Sequence, residues 1–208
     1  MAARFLGKTS LAEFAALRAG GLAVLEQYER IRGELTSRLG AAYATFLAEP
    51  VITWGSAGAA GSVSWYADAL GEAEPLHTLP ADRRSRLEAN LRSMLAGVEP
   101  LLAEPDLGPL LRAALVVATK EGVRAVDDHI VLIDWGLAPQ DQAAALQPRE
   151  LLAASVLGSF LAPPAAATHP AAPFAAPPPI SAPAVPVPVA VADSGGWRPW
   201  FLPGVRRA

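Results

Sequence analysis

The chain has 208 residues, 52% hydrophobic and 18% charged, with 17 glycines, 20 prolines and no cysteine. That length suits one ordinary domain with an appended tail, and the missing cysteines exclude a disulfide scaffold, a thiolate zinc site and a cysteine nucleophile. Seventeen Lys+Arg against 20 Asp+Glu leave a net charge of −3, so the overall balance gives no footprint for a nucleic-acid partner.

The first ten residues carry Arg4 and Lys8 but no long apolar run and no small-residue cleavage site, unlike a secretory signal. Gly7-Lys8-Thr9 has the ending of a phosphate-binding loop. Position 2 is alanine where that motif needs glycine, however, and no strand can precede it, which argues against a nucleotide site. Residues 11–18 read as a short helix before the Gly20-Gly21 break. Val24, Tyr28, Ile31, Leu35, Leu39, Ala42 and Phe46 then recur at helical spacing, predicting a long amphipathic helix over about 22–48, ended by Pro50.

Residues 51–54 and 63–66 are two β-rich runs joined by small residues, which predicts a hairpin with a longer loop. Gly55, Gly58 and Gly61 in that loop could present backbone N–H groups to an anion, but without the spacing of a dinucleotide site. Thr78-Leu79-Pro80 opens another helix, with Leu87, Leu91, Met94 or Leu95, Val98 and Leu102 as its buried stripe and Pro100 expected to kink it or end it early. A third helix follows over about 107–120, then a polar turn region over 122–129. Residues 129–135 form the clearest strand, apolar enough to predict a central strand buried on both faces. A last helix is expected over 148–160, with Pro148 in its first turn. The order predicts an α+β fold over 1–161: a small, mostly antiparallel sheet of about three strands packed with four to five helices.

Twelve of the 20 prolines fall in the last 47 residues, and Asp193 is the only charged residue over 162–196. Such a run cannot continue a helix or join a sheet interior. It reads as a disordered, semi-rigid linker reaching up to ~100 Å if extended at roughly 3 Å per residue. Residues 1–161 hold 14 basic and 19 acidic side chains, net −5, whereas 162–208 hold three Arg and one Asp. Beyond the linker, residues 197–208 combine Trp197, Trp200 and Phe201 with Arg198, Arg206 and Arg207, the residue types favoured at a membrane–water interface. Three readings stay open for this segment: the approach to a membrane helix, a weak interfacial anchor, or a peptide that docks on the folded domain or a partner. No stretch reaches the roughly 18–20 apolar residues that span a bilayer.

Two sets of residues are candidates for function. His77 with Asp127, Asp128, His129 and Asp134 offers imidazoles and carboxylates for a divalent ion or for acid–base work. Neighbours on a strand point to opposite faces, though, so Asp128 and His129 cannot both aim inward. Trp54-Gly55 and Trp135-Gly136, with Trp65 on the partner strand, could form a ligand or partner platform or else a tryptophan-rich core end. Asp134, a carboxylate in an apolar strand, must be paired or exposed.

The run from Val131 through Asp134-Trp135-Gly136 to Pro139, followed by a Pro-rich stretch and a Trp/Arg-rich end, resembles the soluble N-terminal region of certain large, uncharacterised membrane-tethered bacterial proteins. The resemblance implies tethering and carries over no catalytic residue. The expectation is therefore a non-enzymatic interaction or adaptor domain, cytoplasmic and held at the inner face of a membrane. Its protein partners are undefined, a membrane surface is a further contact, and no cofactor or metal is called for. The alternative is a small metal-dependent hydrolase using His77, Asp128, His129 and Asp134. The oligomeric state is left open, because the 22–48 stripe could pack inside the domain or across a dimer.

Overall fold

The computed structural model describes residues 3–56, 60–68 and 71–161, all within one compact unit of the chain. The linker over 162–196 and the Trp/Arg segment over 197–208 lie outside the described residues. In chain order the elements are strands β1 (Arg4–Ser10), β2 (Phe14–Ala16), β3 (Arg18–Ala19) and β4 (Leu22–Ala23), then helix α1 (Tyr28–Leu39). Strands β5 (Glu49–Thr53), β6 (Ser62–Ala67) and β7 (Ala73–Pro75) precede helices α2 (Ala81–Leu102) and α3 (Gly108–Ala114). Strands β8 (Val123–Val126), β9 (His129–Leu132) and β10 (Leu137–Pro139) lead to α4 (Gln140–Ala145), α5 (Pro148–Ala154) and α6 (Gly158–Leu161). The fold is α+β with antiparallel pairing in every sheet, in the orders β1-β6-β5, β10-β2, β3-β4 and β7-β8-β9.

The expected hairpin is present as β5 and β6, with Val51 opposite Ser64 and Ile52 opposite Val63. Strand β6 alternates cleanly: Val63, Trp65 and Ala67 are buried while Ser62, Ser64 and Tyr66 are not, as period-two side chains on a half-buried strand require. Strand β1, absent from the sequence expectation, covers the other edge of β6. A bulge between Phe5 and Gly7 inserts Leu6 as an extra residue. It lets Leu6 turn into the core while Phe5 stays outside.

Helix α2 buries Leu87, Leu91, Leu95 and Val98 as read from sequence, but the stripe ends on Leu101 and the expected Leu102 is only partly buried. Pro100 sits in its last turn, where it leaves the carbonyl four residues back without a helical donor, and the helix ends two residues later, in line with the expected early end. Helix α3 stops at Ala114, short of the expected 120, and residues 116–118 are extended instead: Gly136 N–H donates to Val116 O at 2.8 Å, and Val117 bridges Trp135.

Five further local expectations are corrected. Residues 11–18 are not helical, because the chain pairs with distant strands: β2 lies antiparallel to β10, and Gln140 N–H donates to Glu13 O at 3.1 Å. The 22–48 stripe is broken. Gly20 and Gly21, at φ +62° and +83°, close the β3–β4 turn, and Gly40 at φ +100° ends α1 in a conformation that favours glycine. Residues 122–129 hold a strand, β8, rather than a turn alone, and its Val123, Ala125 and Val126 are buried. Strand β9 is buried, yet it is not central in its sheet. Its outer flank is covered by the chain at 46–48 through Leu132 N–H to Phe46 O at 2.8 Å and Ala48 N–H to Leu132 O at 2.9 Å. The last helix divides into α5 and α6 around Ser155–Leu157, and α4 precedes it.

Candidate interaction surface

Two of the three strand-associated tryptophans turn inward. Trp65 and Trp135 are fully buried with ring centroids 5.8 Å apart, and the Trp135 indole N–H donates to Ala48 O at 2.9 Å. The Trp65 indole N–H donates to Thr9 Oγ1 at 2.8 Å, and the Thr9 hydroxyl donates in turn to Asp134 Oδ1. Asp134 Oδ2 accepts from the Thr119 hydroxyl at 3.1 Å. Asp134 is the one charged residue among the buried described side chains, at 6% exposure, and it lies at φ +56°, two residues past β9, which ends at Leu132 rather than at the expected 135. The apolar segment after β9 thus tolerates a carboxylate because hydroxyls from β1 and from residue 119 satisfy both oxygens. Gly136, at φ +67°, then reverses the chain so that its N–H and C=O reach Val116 and Leu17. This assembly ties three segments together inside the domain.

The remaining acid–base candidates are spread out. Asp127 and Asp128 form the exposed tip between β8 and β9. Arg83 donates to Asp127 O at 2.7 Å, and the Arg86 guanidinium lies 3.8 Å from Asp128. His129 is exposed at the same end of β9. His77 follows β7 at the opposite end, 3.9 Å from Glu121, so at least two strand rungs, ~7 Å, separate the two histidines along the sheet. The Glu121 carboxyl is held below its ordinary range, first by a hydrogen bond from its own backbone N–H, with His77, Thr119 and Arg124 adding to the effect. Among the described residues no three His, Asp or Glu side chains gather as they would around a metal ion. Gly7-Lys8-Thr9 lies within β1, with Lys8 exposed.

Trp54 is the exposed tryptophan, half-exposed at 51%, with Gly55 beside it at the end of β5. It lies one residue past β5, at the end of the β1-β6-β5 sheet, whose outer face carries the exposed β5 positions Glu49, Val51 and Thr53. Residues directly opposite in register share a face, which fixes its rows. The first runs Phe5–Tyr66–Glu49, the second Lys8–Ser64–Val51, and the third Ser10–Ser62–Thr53. Phe5 and Tyr66 meet edge to face with centroids 5.6 Å apart. Three of the four large exposed apolar side chains among the described residues, Phe5, Val51 and Trp54, belong to this sheet and its end; the fourth is Leu22. Tyr66 and Glu49, at one end of this face, share a groove with Tyr28 and Arg32 of α1, and Lys8 and Glu49 flank Phe5, Tyr66 and Val51 with opposite charge.

The sequence reading found Trp54 but missed Phe5, Val51 and Tyr66. Its available signal was the alternation of β6, which assigns Tyr66 outward once Val63 and Trp65 are assigned inward. Phe5 was out of reach while β1 was unrecognised.

No helix among the described residues is long and apolar enough to cross a membrane. No family model, curated protein or solved structure matches the chain.

Proposed function

We propose that this chain is a non-enzymatic interaction domain that docks a protein partner on the outer face of the β1-β6-β5 sheet. The observation that carries the reading is that Phe5 and Val51, each about half exposed, share the outer sheet face with Tyr66, while the half-exposed Trp54 stands just beyond the far end of β5. Exposed large apolar side chains scattered singly are ordinary, whereas a contiguous group rimmed by polar residues marks a docking surface. Aromatic anchors are also the residues that dominate binding energy at such surfaces. The partner this face fits presents an aliphatic or aromatic ridge, with an acidic group over Lys8 and a basic group over Glu49.

The Pro/Ala-rich run over 162–196 and the Trp/Arg-rich 197–208 support the second half of the proposal, that the domain is held near the cytoplasmic face of a membrane. Three arginines and three aromatic rings in one short patch give only marginal membrane affinity by themselves, so the tether and the partner act together in retaining the domain. The separated histidines His77 and His129 give the hydrolase alternative no shared site among the described residues.

The test is a complex isolated from the native source with the intact chain, with the triple variant Phe5→Ser, Val51→Thr, Trp54→Ser, and with residues 162–208 deleted. The triple variant is expected to lose the partner while staying folded, and the deletion to lose membrane retention. Unchanged complex formation in the first and unchanged localisation in the second would refute the two halves separately.

A further inference from the structure

A second region, away from the sheet face, has the composition of a small-molecule site. Between the turn at Leu76–Thr78, the N-terminal part of α2, the 120–123 segment and α6 lies a pocket of about 350 Å³. Sites for small ligands run about 300–1,000 Å³, mostly apolar with a few convergent polar groups. The floor is apolar: Leu76 and Val123 are buried in the core, and Val156 and Phe160 line one wall. Lys120, Arg84 and His77 stand around it, with the hydroxyls of Ser85 and Ser159.

The local charge favours an anion. Glu88, the one carboxylate lining the pocket, lies 3.8 Å from both Arg84 and, outside the lining, Arg92; Glu121, also outside the lining, lies 3.9 Å from His77, which leaves Lys120 as the lining cation without an ion pair among the described residues. The Arg92 guanidinium is also stacked over the Phe160 ring at 5.2 Å, which fixes that wall. The Lys120 ammonium has no ion-pair or hydrogen-bond partner among the described residues. A cation without a partner, beside the arginine paired with Glu88 and above an apolar floor, suits one ligand chemistry: a monoanionic head on a short apolar body.

We propose that this pocket binds a small amphipathic carboxylate, its head between Lys120 and Arg84 and its apolar body over Leu76, Val123, Val156 and Phe160. The site is independent of the sheet face and of any partner docked there.

The experiment is an amide chemical-shift titration of the full chain with sodium octanoate. Octan-1-ol serves as the probe with the same tail and no charge, and inorganic phosphate as the probe with charge alone. The expected result is saturable shifts at Ser85, Val123 and Ser159 with octanoate, about tenfold weaker binding in Lys120→Glu and in Arg84→Glu, each the equivalent of losing one charge-assisted contact, and no saturable binding of octanol. Ser85→Trp, on the solvent side of α2, fills the pocket without altering a charge and is expected to abolish the shifts. Absence of saturation, equal binding of octanol, phosphate binding as tightly as octanoate, or binding that survives both Lys120→Glu and Ser85→Trp would each overturn the assignment.

Discussion

Asp134 shows how one residue can look catalytic in a sequence and be structural in the fold. A carboxylate between Ile133 and Trp135 needs partners, and the fold supplies them from the Thr9 and Thr119 hydroxyls, which lie 125 and 15 residues away in sequence. Replacing it by alanine strands two hydroxyls and places a β-carbon residue without a local hydrogen bond at φ +56°; the expected loss is about 2–4 kcal/mol in urea unfolding. Asp134→Asn keeps an acceptor for Thr9, offers a donor to Thr119 and tolerates the left-handed backbone, so it is expected to stay within about 1 kcal/mol of the parent. A comparable loss in both variants would show that the negative charge itself, rather than hydrogen-bond geometry, is required. The Tyr28 phenol, packed on Trp135 with ring centroids 6.1 Å apart, is pushed up to about 12 mainly by burial, with Glu49 adding and Arg32 opposing. A phenol raised in the folded state stabilises fully below its unfolded pKa of about 10 and loses that contribution as pH rises toward 12. The thermal midpoint of the parent should therefore fall relative to Tyr28→Phe between pH 10 and 12, and parallel curves would contradict the burial.

Elements were legible where a local pattern and its burial agreed. Helix α2 and the β5–β6 hairpin follow from periodicity because their apolar residues face the core they define. The segments at 11–18 and 22–27 were not legible. Alanine- and leucine-rich text favours helix locally, and only pairing of β2 with β10, more than 120 residues on, holds it extended. No spacing rule carries that distant contact. Two glycines within helices make the same contrast testable. Gly33 lies in α1 with nothing within 4 Å of an added β-carbon, so Gly33→Ala is expected to stabilise by about 0.5–1 kcal/mol. Gly97, in α2, sits against the Tyr43 hydroxyl, which donates to Met94 O at 3.0 Å. Gly97→Ala gains the same helix propensity but must displace that ring, and is expected to destabilise by about 1–3 kcal/mol. Equal effects of the two substitutions would place Tyr43 elsewhere.

At the scale of the whole domain, the inner face of β6 contributes to one continuous core that includes Trp65 and Trp135, and the outward residues Ser62, Ser64 and Tyr66 are half-buried. Of the proposed platform the sequence showed only Trp54. The other two tryptophans were consumed by packing, and their places at the surface are taken by Phe5, Val51 and Tyr66. Recognising that exchange requires knowing that residues 4–10 form a strand, and their own text, interrupted by a bulge at Leu6, hides the alternation. Because Phe5, Val51 and Trp54 are each about half exposed, making all three polar is expected to change stability by no more than about 1–2 kcal/mol, so loss of a partner in that variant reports docking and not unfolding.

The most direct test of the sheet-face proposal is site-specific photo-crosslinking in the native source, with the reactive side chain at Val51 on the outer sheet face and, as a control, at Arg86 on the exposed side of α2. A discrete adduct with one protein from position 51, absent from position 86, is the result the account predicts. No adduct at position 51, or the same adducts from both positions, would contradict it.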